Sequence, residues 1–353
     1  MKYKNIYFSF LLLFTFFLVN CCTNSKKSKS DSSVHMGLLR HNTIDIGNDF
    51  IGLGGYLVII QDRIVGIDRA SSLSQPPFYC VIHNDGLSTF YQFGNRGQGP
   101  DDFLYPRIIQ NIDKQTVGVY DSDLRTYYEF RIPNKNELLK IDKRTTFDFR
   151  LFRIIKTAYN QYIALSRQEG MFVLADSAGK AINTFFEYPY KNEDERENVI
   201  NQHRAYAYQG HLATNPSKTK FAYACSNGEI IHFYEIGNNI ITPVAIIEKE
   251  YPLYQNRSNQ TQIGVAFEEE NTEGYCDAYA TEQFVYSLFG GHKSGERDTY
   301  ARILRVFDWS GNLVKEYELD LPSRNLCVTD DDSRLWTISL NPDISLVYFD
   351  LRN

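Results

Sequence analysis

Tryptophan is nearly missing from this 353-residue chain, which has two Trp against 25 Tyr and 24 Phe. Its aromatic weight therefore lies on residues that favour strands. Helical periodicity is scarce, and only Glu193 to Tyr206 (EDERENVINQHRAY) suggests a short helix or an inserted segment. The six cysteines form no C-x-x-C pair, which argues against a zinc centre or a thioredoxin-like site. H-E-x-x-H and G-x-S-x-G are both missing, so neither a zincin nor an α/β-hydrolase nucleophile is indicated. Basic residues are not in excess either: 37 Lys and Arg face 43 Asp and Glu, which gives no footprint for nucleic acid. What remains is 43% hydrophobic and long enough to bury a sizeable core, as one large β domain or two ordinary ones.

The first residues are of a different material. Lys2 and Lys4 precede an apolar run from Ile6 to Val19, followed by Asn20, Cys21 and Cys22. Fourteen residues are too few to span a bilayer, which takes about 20, so residues 1–20 read as an export signal. Leu18-Val19-Asn20-Cys21 resembles the lipobox of bacterial lipoproteins. The resemblance implies cleavage before Cys21 and acylation of its sulfur and amino group; Asn20 departs from the usual small residue, which keeps Cys22 open as the acylated position. Residues 21–33 would then be the lipidated cysteine and a flexible tether, since TNSKKSKSDSS has no large apolar side chain to pack.

Residues 34–353 carry a repeat with uneven loops. Strand-like runs start at Arg63 (RIVGIDR), Thr116 (TVGVYD), Tyr162 (YIALSRQ), Phe221 (FAYACS), Phe284 (FVYSLF) and Leu335 (LWTISL), 46 to 63 residues apart. A second run follows each, as in FYCVIH, RTYYEFRI and ISLVYFD, and several then enter turns such as Asp176-Ser177-Ala178-Gly179. Six units of about 50 residues, with three or four strands each, predict an all-β, six-bladed β-propeller. An array of two β-sandwich domains is the alternative. The sixth unit lacks an outer strand, and Asn42 to Ile46 (NTIDI) is unassigned, so the N-terminal strand is expected to close the last blade.

The stretch Phe93 to Phe103 (FGNRGQGPDDF) invites a phosphate-loop reading, but no helix start follows it. Pro100, Asp101 and Asp102 stand where phosphate would bind. Gly94, Arg96, Gly97, Gly99, Pro100, Asp102 and Phe103 resemble instead the segment after the first blade in NHL-like or TolB-like propeller lipoproteins of the Bacteroidetes. Gly210 to Ala224 (GHLATNPSKTKFAYA) is similar to the start of that family's fourth blade. The resemblance implies the six-bladed fold and an exported, anchored protein, and assigns no activity. On this reading the glycines make the crossing to the second blade. Arg96 either pairs with Asp101 or Asp102 or points to a ligand.

No catalytic constellation emerges, and no cofactor or metal is expected. His203 and His211, flanking Tyr206 and Tyr208, are with Arg96 the candidates for ligand binding at the channel mouth. The alternative is a metal-dependent propeller hydrolase or lyase with a metal held by His203 or His211 and nearby carboxylates at the channel mouth. Asp330–Asp332 reads as a hairpin turn and Glu268–Glu270 as solvated surface rather than calcium loops. Cys80, Cys225, Cys276 and Cys327 read as small buried hydrophobes. The expectation is a monomeric, outer-membrane-anchored lipoprotein, periplasm-facing because lysines follow Cys21. It would contact the membrane through its lipid, bind an envelope protein, peptide or glycan, and have no nucleic-acid partner.

Overall fold

The structure, a computed structural model, describes residues 36–44, 54–68, 76–84, 87–259, 263–296, 300–339 and 344–352. The signal, Cys21, Cys22 and the tether lie outside the described residues. The rest is a six-bladed β-propeller of antiparallel four-stranded blades. Blade 1 runs Gly54–Ile60, Arg63–Asp68, Phe78–Asn84, Leu87–Phe93. Blade 2 runs Pro106–Asn111, Thr116–Asp121, Thr126–Arg131, Ile141–Thr146. Blade 3 follows with Leu151–Lys156, Tyr162–Ser166, Phe172–Ala175, Ala181–Phe185. Blade 4 has Gly210–Thr214, Lys220–Cys225, Glu229–Gly237 and the long Ile240–Glu250. Blade 5 begins with Tyr275–Ala280, Phe284–Phe289 and Ala301–Asp308.

The first strand of each blade lies innermost, and these strands neighbour one another in cyclic order around the axis. The runs that the sequence marks as leading each unit are therefore the second strands. The innermost strands escape notice because they are short and broken by polar residues, as in GHLAT at Gly210–Thr214. The second strands stand out because each is enclosed by its own blade and its neighbours. Every residue after the first is buried in RIVGID, TVGVYD, KFAYAC, FVYSLF and RLWTIS. Glycine in two of them serves close packing: a Cβ on Gly66 would lie 2.1 Å from the Tyr79 ring, and one on Gly118 2.4 Å from Tyr127 Cζ.

Closure is non-covalent. Leu313–Val328 supplies the outer strand of blade 5 and then, past Ser323, the inner strand of blade 6, which continues with Arg334–Ser339 and Ser345–Asp350. The fourth strand of blade 6 is N-terminal: His41–Thr43 pairs antiparallel, His41 opposite Phe349 and Thr43 opposite Val347. This is the expected closing strand; the ladder starts one residue earlier than Asn42, and Asp45 and Ile46 fall outside the described residues. Just before it, Met36–Leu39 runs parallel to Glu316–Leu319 and covers the outer edge of blade 5. The His41 amide donates to Asp320 Oδ1 at 3.1 Å and fixes the step between the two strands.

The core is divided into six apolar clusters, one at each blade-to-blade interface. Leu39 packs into the cluster between blades 5 and 6, Ile44 into that between blades 6 and 1, and each is 5% exposed. The N-terminal segment thus wedges both interfaces of the last blade. At the first interface Phe103 is fully buried, with its ring 4.8 Å from Phe78 and from Tyr128. Phe103 therefore anchors the return of the crossing at Phe93 to Phe103.

Within that crossing only Gly94 takes a left-handed conformation, at φ +80°. Gly97 and Gly99 are needed for another reason: a Cβ on either would meet Asp102 Oδ2 at 2.5 or 2.6 Å. Asp102 accepts from the Gly99 amide at 2.7 Å, and Asp101 pairs with Arg144. Neither is the partner of Arg96, whose guanidinium donates to the Asp68 carbonyl across the blade edge. The four later cysteines are all free; Cys80, Cys225 and Cys327 are buried, and burial pushes the Cys80 and Cys225 thiols up to about 11.

Candidate functional site at the propeller axis

Five of the six inner strands slip register close to their first residue. The slips fall between Gly54 and Leu57, Pro106 and Ile108, Leu151 and Arg153, Tyr275 and Asp277, and Ser323 and Leu326. A bulge twists its strand and re-aims the side chain that follows. Tyr56, Arg153 and Asp277 sit at or just after these bulges, and with His211 of the unbroken fourth inner strand they line a cavity of about 70 Å³ on the axis. That is room for a few waters or one small functional group.

Two contacts cross the axis between opposite blades. The Tyr56 ring of blade 1 lies 6.0 Å from the His211 ring of blade 4, and the Arg153 guanidinium of blade 3 stands 5.3 Å over the same tyrosine. Asn111 of blade 2 donates to the Tyr279 hydroxyl of blade 5 at 3.3 Å and to the Ile59 carbonyl at 2.6 Å. The axis is consequently a bridged cavity, largely apolar with a few convergent polar groups, rather than an open pore. Burial, then the nearby Cys327 and Asp330, raises the Tyr279 hydroxyl far above the usual phenol range, so it stays a neutral donor and acceptor.

Asp277 organises the wall. It is 4% exposed, and its Oδ2 accepts from the Leu326 amide at 3.1 Å and Asn325 Nδ2 at 3.4 Å, while Oδ1 accepts from the Ala278 amide at 2.9 Å. His211, 7% exposed, places Nδ1 at 3.3 Å from Asp277 Oδ1. A carboxylate at Nδ1 sets the imidazole orientation. Arg153 donates through Nη1 to the Phe152 carbonyl at 3.0 Å, whereas its Nε is buried without a partner.

The insertion between blades 3 and 4 forms two short helices, α1 (Glu193–Asn198) and α2 (Asn201–Ala207). Asn192 caps α1 by accepting from the Glu195 amide at 2.9 Å, and Glu195 accepts in return from the Lys191 amide at 2.5 Å. The same carboxylate takes the Tyr254 hydroxyl at 2.6 Å and that of Tyr208 at 3.0 Å, which ties α1 to the end of α2 and to the two-stranded hairpin Tyr254–Asn256/Val265–Phe267 that follows blade 4. Tyr206 of α2 meets Phe152 edge to face at 5.2 Å, and Arg167 lies over both rings while donating to the Tyr206 hydroxyl. The insertion therefore packs against Phe152 of the inner strand of blade 3.

Of the three residues expected at the channel mouth, only His211 lines this cavity. His203 borders a separate cavity of about 400 Å³ with Asp194, Glu195 and Glu268, its Nε2 3.0 Å from Ser258 Oγ. Arg96 lines neither and stays at the edge of blade 1. Among the described residues no three His, Cys, Asp or Glu side chains gather closely enough to hold a metal ion. His203 and His211 thus stand in two different places, each with its own neighbouring carboxylates. Asp331 closes a hairpin, accepting from Ser333 Oγ at 2.6 Å and Thr329 Oγ1 at 2.7 Å, as read for Asp330–Asp332.

Tyr56, Arg153 and Asp277 were not singled out from the sequence. The available signal was positional: each falls seven to nine residues before the apolar run that marks a second strand, at Arg63, Tyr162 and Phe284.

A family model described as "TolB-like 6-blade propeller-like" matches residues 70–331. Among solved structures, the chain is similar to a Bacteroides fragilis protein called a "putative exported protein". The two share 12% identity at a TM-score of 0.56, over 88% of this chain and 94% of that one. No curated protein matches the sequence.

Proposed function

Because the chain belongs to the TolB-like 6-blade propeller-like family, we propose that it is a binding module whose ligand seats at the axis against Tyr56, Arg153, His211 and Asp277. The observation that carries this reading is an axial cavity that all six blades reach, lined among others by Tyr56, Arg153 and the buried His211 and Asp277 from four different blades. Buried polar side chains cost stability unless partnered, so convergent ones around a cavity support a binding role. The protein is exported, which is supported by the Lys2-to-Cys21 pattern and by the description of its Bacteroides structural neighbour, and anchored through Cys21, which is supported by the sequence pattern alone. On this reading the outer membrane holds the propeller on its periplasmic face, and the module serves an envelope partner, peptide or glycan without catalysis.

Thermal-shift screening of the full chain against anionic, cationic and neutral small molecules tests the site. Compounds that stabilise it should lose their effect in Tyr56→Ala and His211→Ala; hits indifferent to both changes would place the ligand elsewhere. Metabolic labelling with an alkynyl fatty acid tests the anchor. Cys21→Ser should abolish labelling, and loss in Cys22→Ser alone would move the anchor by one residue.

A further inference from the structure

Away from the axis lies a cavity of about 250 Å³ in which every charged wall residue is basic. It sits on the face of blades 1 and 2 that carries the turns between their first and second strands. Arg63 opens the second strand of blade 1, Lys114 stands in the first turn of blade 2, and Arg131 ends the third strand of that blade. Three segments distant in sequence thus bring three positive charges to one concavity. Gln61, Gln115 and Asn134 add amide groups, and Asn134 Oδ1 accepts from Arg63 Nη2 at 3.1 Å, which fixes the guanidinium at the wall.

Other cavities differ in kind. The axial one includes Asp277, the one beside His203 includes Asp194, Glu195 and Glu268, and one at the rim of blades 1 and 2 includes Asp101 and Glu137. Acids close in sequence to the basic cavity are committed elsewhere: Asp113 accepts from the Gln115 and Thr116 amides at 2.8 Å each, and Glu137 from the Asn134 amide and Nδ2 at 3.1 Å each. Among the described residues none of the three cations forms an ion pair. Like charges gathered in a chain with more acids than bases leave a repulsion that an anion relieves.

We infer that this cavity binds the phosphate of a monoester on a short stem. A cleft lined by one sign of charge concentrates the opposite ion. Guanidinium forks match paired phosphate oxygens, and a monoester brings about −1.5 to −2 charge at pH 7 to three cations, more than one carboxylate does. The site shares no lining residue with the axial cavity, so it stands or falls separately from the axial reading.

Calorimetric titration of the full chain with glycerol phosphate tests this, with Cys21→Ser and Cys22→Ser so that no acyl chain takes part. Salt is held at about 0.15 M, where unspecific attraction between exposed charges is screened. Glycerol phosphate should bind saturably and acetate about tenfold or more weakly. Arg63→Gln and Arg131→Gln should each weaken glycerol phosphate about tenfold, equivalent to one lost charged hydrogen bond, while Lys180→Gln on blade 3 has no effect. Melting followed by circular dichroism checks that the variants are folded. No saturable binding, equal binding of acetate, or parental binding by both arginine variants overturns the proposal, as does a loss in His211→Ala with the arginine variants unchanged. Flotation with phosphatidic acid vesicles separates two sources of the phosphate. Flotation lost in the Arg63→Gln/Arg131→Gln double variant and competed by glycerol phosphate assigns a lipid head group; no flotation, with glycerol phosphate bound, assigns a soluble ester.

Discussion

At the axis the propeller buries polar side chains, and at the rim it exposes apolar ones. Asp277, His211, Gln110 and Asn325 are each under 8% exposed on inner strands, while Ile182, Ile240, Val244 and Ile246 on outer strands are 45 to 53% exposed. The second observation is ordinary, since much of any folded surface is apolar. The first is not, because each buried polar group must be partnered. Gln110 shows the structural use: its amide bridges blades 2 and 3, accepting from the Lys156 amide and the Tyr127 hydroxyl at 2.8 Å each. Position at the axis therefore does not by itself mark function, since Gln110 there is a structural bridge.

The largest expected effect breaks the rim rather than the axis. Leu39→Ala with Ile44→Ala empties both wedges of the last blade, and large-to-small core changes cost about 2–5 kcal/mol each. The two sites lie in different clusters, so the costs should nearly add. The total approaches the stability of a whole domain, about 5–15 kcal/mol. Urea unfolding should show a collapse of the midpoint; a loss under about 1 kcal/mol would mean that the ring holds without its N-terminal clip.

Second in size is Asp277→Ala, which strands the Leu326 and Ala278 amides and removes the partner of His211. Leaving buried donors unsatisfied costs about 1–3 kcal/mol, and ligand binding should vanish with it. Asp277→Asn keeps an acceptor oxygen and should recover part of the stability. If the Asn variant is as unstable as the Ala variant, the carboxylate charge itself, rather than its acceptor geometry, organises the wall.

These two variants also show what was legible in sequence. The closing strand could be read from Asn42–Ile46 because a missing outer strand leaves a countable gap in a repeat. The second strands could be read because enclosure on both sides demands continuous Val, Ile, Tyr and Phe. Asp277 and Arg153 could not, because they follow bulges, and a bulge breaks the period-2 alternation that identifies a strand. His211 was visible only as a histidine beside an aromatic segment, and Arg96 drew attention through its glycines although its guanidinium serves the Asp68 carbonyl.

A smaller, pH-dependent effect belongs to the rim. His232 Nε2 lies 3.0 Å from Glu248 Oε1 on the outer strand of blade 4, and Tyr251 donates to the other oxygen at 2.8 Å. Burial alone would raise the Glu248 carboxyl, but these partners outweigh it and hold the group below the usual glutamate range. A depressed folded value contributes stability above the unfolded value, near 4.3, and that contribution disappears as pH falls through the folded value. Glu248→Gln should therefore cost less than about 1 kcal/mol at neutral pH and flatten the acid limb of the stability curve. An acid limb unchanged from the parent would assign the loss to other carboxylates.

The smallest effect distinguishes the two histidines. His203 sits on α2 with Ser258 Oγ as its hydrogen-bond partner, so His203→Ala loses one part-buried hydrogen bond and should cost about 0.5 kcal/mol. It should also leave axial binding intact, whereas His211→Ala removes a ring 6.0 Å from that of Tyr56 and a nitrogen 3.3 Å from Asp277 Oδ1. Titrating both variants with the same ligand measures that difference directly. Equal losses would mean that α1 and α2 transmit changes into the axis through Tyr206 and Phe152, and that the insertion forms part of the binding site rather than a cover beside it.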